Sequence, residues 1–524
     1  MSPRAIAASR RRFLTVAGSG ALALAWDSAL SSPSRAWASP RFADNPFTLG
    51  VASGDPLPDG VVLWTRLAPE PTAPDGTGGM PNLRVPVRWQ VAEDPAFRRV
   101  VRAGTTMATP QLAHSVHVEV AGLRSDHEYW YRFRTGHYVS PVGRTRTAPA
   151  AGAAISSLSF AFASCQNLPE GYFTALAHMA DEDVDFAVHL GDYIYEGGAQ
   201  GSIGRGHLPA AEVFTLADYR VRHAQYKLDP DLRAAHAAFP WIVTVDDHDV
   251  ENNWASEHSQ PDNEPDQDPQ VFLQRRAAAF QAFYEHQPLR MASMPDGPDM
   301  RLYRRFSFGR LAQLDMLDTR QFRDVQLTDP ADRWNPQRTM LGAAQEAWLL
   351  DGLASSSATW NVIGNQIFIM KADHTDGPEE RYGMDTWDGY AAARQRLFDG
   401  VHERGVDNLV VITGDAHRSV AADLHVDFED LSSPIIGVEF LGTSISSGRD
   451  GQPMDSLGQT WLRENPHMHF HNSQRGYVRC EVTPTTWRAD YRIVPYVSQP
   501  GAPLETAASV HLEAGVPGIQ QVEQ

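Results

Sequence analysis

Cysteine is nearly absent from this 524-residue sequence: Cys165 and Cys480 are the only two. Two thiols cannot build a disulfide framework, so packed apolar side chains must hold the fold. Positive charge is also short, with 45 Lys and Arg against 64 Asp and Glu, a formal net charge of −19. Such a surface repels phosphate backbones and anionic bilayers at long range, which argues against non-specific nucleic-acid binding. Cations held inside an acidic site could still draw in a phosphorylated small molecule. No apolar run is long enough to cross a bilayer, so no transmembrane segment is expected. Internal repeats are missing too. What is present is core material, 42% hydrophobic and 10% aromatic residues, in a chain longer than one core usually holds, so two domains are expected.

Residues 1–38 carry a targeting signal. In "SRRRFLTVAGSGALALAW" Arg10 and Arg11 precede a short Gly- and Ala-rich apolar stretch, and Ala36-Trp37-Ala38 gives a small-x-small cleavage pattern. The run Ser9-Arg10-Arg11-Arg12-Phe13-Leu14 resembles a twin-arginine export signal, which implies the twin-arginine machinery as a partner. The expected destination is outside the cytoplasm: secreted, periplasmic or cell-wall.

Residues 42–149 read as an all-β domain. "GVVLWTRL", "VPVRWQVA", "SVHVEVAGL" and "HEYWYRFRT" alternate with period two and are separated by turn residues, the pattern of a small sandwich. In the last of these, Tyr129 and Tyr131 are placed on one face, with Trp130 and Phe133 nearer the other. After a small-residue linker at 147–154 the pattern changes. Residues 155–500 alternate short apolar strands with helix-period segments such as "DPQVFLQRRAAAFQAFYEHQ", which predicts an α/β domain. The polar, Pro-rich stretch 256–269 reads as a solvated connector, and residues 501–524 as a C-terminal tail.

Several strands of the second region end on a carboxylate or a thiol. "LSFAFASC" leads to Cys165, "DFAVHLGDYIY" to Asp192 and Tyr195, "WIVTVDDHD" to Asp247 and His248, and "NLVVITGDAH" to Asp415 and His417. In open α/β sheets ligands gather beyond the carboxyl ends of strands, so these side chains are aimed at one place on rigid supports. Clustered carboxylates repel unless cations neutralise them, and Cys165, Asp192, Tyr195, Asp247, Asp415 and His417 form a ligand set for more than one metal ion. Phenolate and carboxylate suit ferric iron, with thiolate and imidazole completing its shell. The oxygen-rich remainder suits calcium, magnesium or manganese, and zinc stays open for the Cys-His-Asp donors. Asp246 reads as support or a helix cap. Arg418, directly after His417, is the best phosphate-binding arginine, ahead of Arg220, Arg222, Arg320 and Arg323. His467, His469 and His471 read as an exposed polar edge.

In this order, "SCQN", "GDYIYE", "DDHDVENNW", "LDTRQFRD", "GNQ" and "GDAH", after a β-domain opening on "GVASGDPLPDGVVLWTRL", resemble the PhoD-like alkaline phosphatases, relatives of the purple acid phosphatases. The resemblance spans almost the whole chain after the signal. It implies a calcineurin-like metallophosphoesterase β-sandwich flanked by helices, behind an N-terminal fibronectin- or Ig-like sandwich. It also implies Fe3+ with Ca2+: Cys165, Tyr195 and His417 on iron, Asp192 bridging, Asp415 on the calcium side, Asp247 where relatives carry an amide ligand, and His248 facing substrate. Asn252 and Asn365 are further candidates for the second metal or substrate; spacing does not choose between Asn252 and Asn253. The implied activity is phosphomonoester or phosphodiester hydrolysis by metal-activated water; His248, together with Arg418 for its place directly after His417, is the expected catalytic pair. The family also holds an iron-dependent phospholipase D, which makes a phospholipid the alternative substrate.

Overall fold

The chain is described by a computed structural model over residues 42–199, 201 and 203–524; the targeting signal at 1–38 lies outside the described residues. The apolar runs after residue 155 become short strands. Leu158–Ala163, Phe186–His189 and Pro240–Val243 lie side by side and parallel, buried on both faces as their unbroken apolar character requires. They form the middle of a ten-stranded sheet. A seven-stranded sheet, built around parallel Ala312–Met316, Trp360–Gly364, Leu409–Thr413 and Ile435–Leu441, packs on it face to face. Phe160, Phe162, Val188 and Ile242 from the first meet Leu314, Val362, Val410 and Phe440 from the second in one core. Each such side chain contributes roughly 1.5–3 kcal/mol by leaving water, so the sheet-to-sheet contact holds the platform on which the strand ends stand.

Helices cover the outer faces. Leu216–Lys227, Pro230–Ala238 and Pro269–His286 pack on the ten-stranded sheet, and Gly342–Ala354 and Ala391–Glu403 on the other. Their starts are written locally: Thr215 and Asp218 form a capping box, and Asp229 and Asp268 cap helices that begin on proline. The whole is a mixed α/β, sheet-rich fold.

Toward the N-terminus a five-stranded sheet containing Val85–Ala92 and Glu128–Thr135 faces Gly60–Arg66 and Ser115–Val120 across a small core. Phe133 shares that core with Tyr129 and Tyr131, against the expectation that set it on the other side; the three positions have one parity. The change of pattern near residue 149 is not a break in hydrogen bonding. Val51–Leu57 pairs in parallel with Pro240–Val243, through Ser53 with Pro240 and Gly54 with Trp241, so N-terminal strands extend the ten-stranded sheet.

Two expectations are corrected. Residues 501–524 are no tail: Glu505–Glu513 pairs along Thr486–Val494 and buries Ala508, Val510 and Leu512, every second residue, in the inter-sheet core. Nor is 256–269 merely a solvated connector. Asp266 is buried, and Arg275 of the following helix donates to it at 2.8 Å and to Glu264 at 3.3 Å, pinning the loop down.

Candidate metal centre

The carboxyl ends of strands from both sheets open on one point, and the loops there are laced together: Cys165 N donates to Gly191 O, Gln166 N to Asp192 O and Gly414 N to Gln366 O. The backbone is left-handed at Cys165 (φ 58°), Asp192 (53°), Asn253 (54°), Asp415 (67°) and His417 (56°). Non-glycine residues held there cost roughly 1–3 kcal/mol each and persist only where the surroundings impose them, characteristically at functional sites. The glycine before Asp192 has its own reason: a Cβ on Gly191 would stand 2.3 Å from Asp246 Cβ, so only glycine lets these two loops approach.

Donor atoms of Cys165, Asp192 and His417 lie within 4.8 Å of one another; so do those of Asp192, Asp247 and His248, and those of Asp192, Asp246, Asp247 and Asp415. Asp192 belongs to all three groups and therefore stands between a sulfur- and nitrogen-bearing side and an all-oxygen side. Tyr195 joins the first side, its phenol oxygen 3.1 Å from Asp192 Oδ2 and 3.2 Å from His417 Nε2. The six ligand candidates read from the sequence are thus brought together. Asp246, expected only to support or cap, shares the oxygen side.

The asparagines sort differently. Asn252 donates its amide N–H to Glu196 and its side chain to Gln260, away from the cluster. Asn253 is the one that reaches it: its N–H donates to Asp247 Oδ2 at 2.8 Å, and its side-chain amide lies 3.2 Å from Asp247 Oδ2 and 3.2 Å from Asp385 Oδ2. Asn365 follows the strand Trp360–Gly364; it donates to Ile367 O at 2.5 Å, and its Oδ1 is buried without a partner.

Charge does not balance here. Five carboxylates (Asp192, Asp246, Asp247, Asp385, Asp415) face two guanidiniums, Arg320 and Arg323, an excess of three negative charges by 5 − 2. Arg320 is fully buried and bonds Asp246 and Asp385, but stops 3.5 Å from Asp247 and 3.6 Å from Asp415. Its Nη2 and Asp247 Oδ1 are left buried without hydrogen-bond partners. Burial and Asp247 push the Asp192 carboxyl well up; burial, Asp246 and Asp247 do the same to Asp415. Burial and Asp192 raise the Cys165 thiol and the Tyr195 phenol, while burial, Arg475 and His248 pull His417 down to about 3. The raised acids are donors short of a counter-ion, and a polyvalent cation reverses their shifts; the lowered His417 is already the neutral imidazole that a cation requires. The orphaned Asp247 Oδ1 and the donor types fit cations held on both sides of Asp192.

His248 stands over this centre, its ring 4.3 Å from that of Tyr195. Glu196, which the sequence reading passed over, accepts from His248 Nδ1 at 2.7 Å and from Asn252 N at 2.8 Å, so a fixed carboxylate orients the imidazole. Glu196, Asp247 and Asp192 overcome the opposing effect of burial and keep its pKa well above the ordinary histidine range. Arg418 lies on the far side of His417, donating to Ala416 O at 3.0 Å and to Asp455 at 3.1 Å. The other arginines are committed elsewhere: Arg220 chelates Glu285, and Arg222 is buried against backbone carbonyls of Gly197, Leu208, Pro209 and Ala211. The three late histidines part ways: His467 bonds Lys371 O, His469 bonds Asp423, and His471 is buried beside Asp455.

A family model described as PhoD-like phosphatase matches residues 160–491, and one described as PhoD-like phosphatase, N-terminal domain, matches residues 32–149. Alkaline phosphatase D of Bacillus subtilis (strain 168) is 52% identical over 495 residues, which cover 93% of this chain and 84% of that protein. A solved structure of PhoD is similar with a TM-score of 0.88 and 53% identity, covering 92% of this chain and 93% of that one.

Proposed function

The chain belongs to the PhoD-like phosphatase family and is a phosphoesterase, and from that premise we propose that it hydrolyses phosphomonoesters and/or phosphodiesters with polyvalent cations that Asp192 and the donors around it would hold. The carrying observation is the membership of Asp192 in every donor group of the centre. A ferric ion is assigned to Cys165, Asp192, Tyr195 and His417, whose donors mix thiolate, phenolate and imidazole. Calcium, or magnesium, manganese or zinc in its place, is assigned to Asp192, Asp247 and Asp415, with Asp246 and Asn253 beside them. In the same reading the two-sheet core is a calcineurin-like layer and the N-terminal strands a fibronectin- or Ig-like module.

When bound, such cations orient a phosphate, lower the pKa of water and offset charge on the leaving oxygen. The protein's own groups do the rest. Asp192 aligns the two sides. Glu196 holds His248 by Nδ1, so the imidazole can give a proton from Nε2 to the departing alcohol. Arg320 and Arg323 hold Asp246 and Asp385 in place. With no activated serine, the displacement is single and inverts at phosphorus.

Turnover of 4-nitrophenyl phosphate and bis(4-nitrophenyl) phosphate by metal-replete protein, abolished by chelation and restored by iron with calcium, is the expected result; full activity after exhaustive chelation contradicts the reading. A visible phenolate-to-iron band lost in Tyr195→Phe tests the iron side. The phosphatidylcholine alternative needs an apolar groove, whereas the cavity beside His417 is walled by Arg418, Gln452, Asp455, Ser473 and Arg475; a lipid arm in the same assay decides it. The twin-arginine run supports export of the folded protein. Replacing Arg10 and Arg11 by lysine should retain the protein in the cell, and unchanged export counts against that route.

A further inference from the structure

A cavity of about 380 Å³ opens beside the metal centre, with His417 in its wall. Its other polar lining groups are Arg418, Gln452, Asp455, Ser473 and Arg475; of these, Arg418 alone was expected in the catalytic pair, and its hydrogen bonds go to Ala416 O and Asp455 instead of to donors of the centre. In a protein of net charge −19, next to a cluster of carboxylates, this wall is positive: two arginines against one aspartate, 2 − 1. Asp455 is occupied at both oxygens, Oδ1 accepting from Gly458 N at 2.7 Å at the start of the helix Ser456–Glu464, and Oδ2 from Arg418 at 3.1 Å.

Arg475 is 3% exposed, and among the described residues no carboxylate lies within ion-pair distance of it. Its guanidinium is built in: it donates to Ser444 Oγ at 2.5 Å and to the carbonyls of Ser447 and Ser473. A Cβ on Gly451 would stand 2.0 Å from Ser473 O and 2.8 Å from Arg475 Nη2, so the loop is glycine where it closes over this group. Buried cations are costly, and the Cys165 and Tyr195 donors and Glu170 offset the burial of this one only in part; it sits between those donors and an open cavity. Arg418, about a quarter exposed, presents the second guanidinium on the same wall. Guanidinium pairs of this kind suit phosphate oxygens.

We propose that this cavity is a second anion site, which takes a phosphate flanking the scissile one, so that the preferred substrate is a phosphate ester whose alcohol itself carries a phosphate. The proposal rests on the phosphoesterase reading, with Arg418 as the contact and Arg475 as the fixed charge behind it.

Two chromogenic substrates differing in one group test it on the metal-replete full chain: thymidine 5′-(4-nitrophenyl phosphate) with and without a 3′-phosphate. One charge-assisted contact predicts a kcat/KM about tenfold higher for the phosphorylated substrate, carried by KM. Arg418→Gln should bring the ratio down to about one and Arg418→Lys should keep part of it, while Gln452→Lys on the exposed rim raises it and Gln452→Asp lowers it, each by about threefold. Equal kcat/KM for the two substrates in the wild type, or changes at 418 and 452 that move both substrates alike, overturns the proposal. Equilibrium binding of thymidine 3′,5′-bisphosphate against thymidine 5′-phosphate separates the two levels. A bisphosphate preference lost in Arg418→Gln upholds the cavity even if neither ester is cleaved, in which case the hydrolytic reading alone falls; no preference in binding removes the cavity.

Discussion

Glu251, Asp262, Glu264 and Asp266 bring their carboxylates as close together as Asp192, Asp246, Asp247 and Asp415 do, within 4.8 Å in each case. What differs is the backbone that carries the acids and the kind of donor beside them. In the loop cluster Arg275 stands among the acids, 2.8 Å from Asp266, 2.6 Å from Glu212 and 3.3 Å from Glu264, with its Nε donating to Tyr219, but it stops 3.7 Å from Glu251, whose Oε2 is left buried without a partner. None of those four acids has a left-handed backbone. At the centre Arg320 halts 3.5–3.6 Å from Asp247 and Asp415, polar atoms are stranded on both partners, and strained φ values mark Asp192 and Asp415. Crowded acids alone therefore say little. What sets the centre apart is the left-handed backbone at Asp192 and Asp415 and the thiol, phenol and imidazole donors set beside its carboxylates.

Four changes break or sharpen this contrast. Asp192→Asn should cost at least about a thousandfold in kcat/KM, ~4 kcal/mol of transition-state stabilisation, with thermal stability dropping toward that of chelated protein; activity within tenfold of wild type would erase the distinction. Arg275→Met should act the other way round, lowering unfolding free energy by about 3 kcal/mol because buried acids lose their partner, with metal content unchanged in denaturation and elemental assays. Glu196→Gln should lower kcat by roughly 10–100-fold, the range found when an orienting partner is removed, and should leave KM for 4-nitrophenyl phosphate nearly constant. The smallest effect is on pH. Glu264 is raised to about 7 by burial and by Glu212, so the folded loop holds a proton that the unfolded chain, at the ordinary glutamate value of 4.5, has released. Glu251, tied to Ser259 of the same loop, is raised to about 8 by burial, so opening of the segment should ease as pH rises from 4.5 to about 8 and level off above, read by hydrogen exchange.

Much of this was legible in the chain because it is locally encoded. Apolar runs ending in Gly191-Asp192 and Gly414-Asp415 gave both the strands and the carboxylates at their ends, and Thr215, Asp229 and Asp268 announced their helices. What escaped depends on loops without period. Asp246 and Asp247 both follow the strand Pro240–Val243, where alternation no longer assigns a face. Asp385 comes from a stretch of turns and reaches the centre through Arg320, Arg323 and the Asn253 amide. The choice of Asn253 over Asn252 is made by a left-handed φ, which spacing does not carry. Glu196 was visible as a carboxylate directly after Tyr195, but its tie to His248 spans 52 residues. Likewise, the joining of Val51–Leu57 to Pro240–Val243 and the late strand Glu505–Glu513 are long-range pairings between sheet edges.

The most direct test is elemental analysis of purified wild type, Asp192→Asn and Asp266→Asn side by side. We predict more than one tightly held polyvalent ion per chain in the wild type and in Asp266→Asn, and loss from both sides of the centre in Asp192→Asn. An Asp192→Asn protein that keeps its full complement, or an active wild type that holds none, contradicts the claim that these carboxylates are gathered around shared cations.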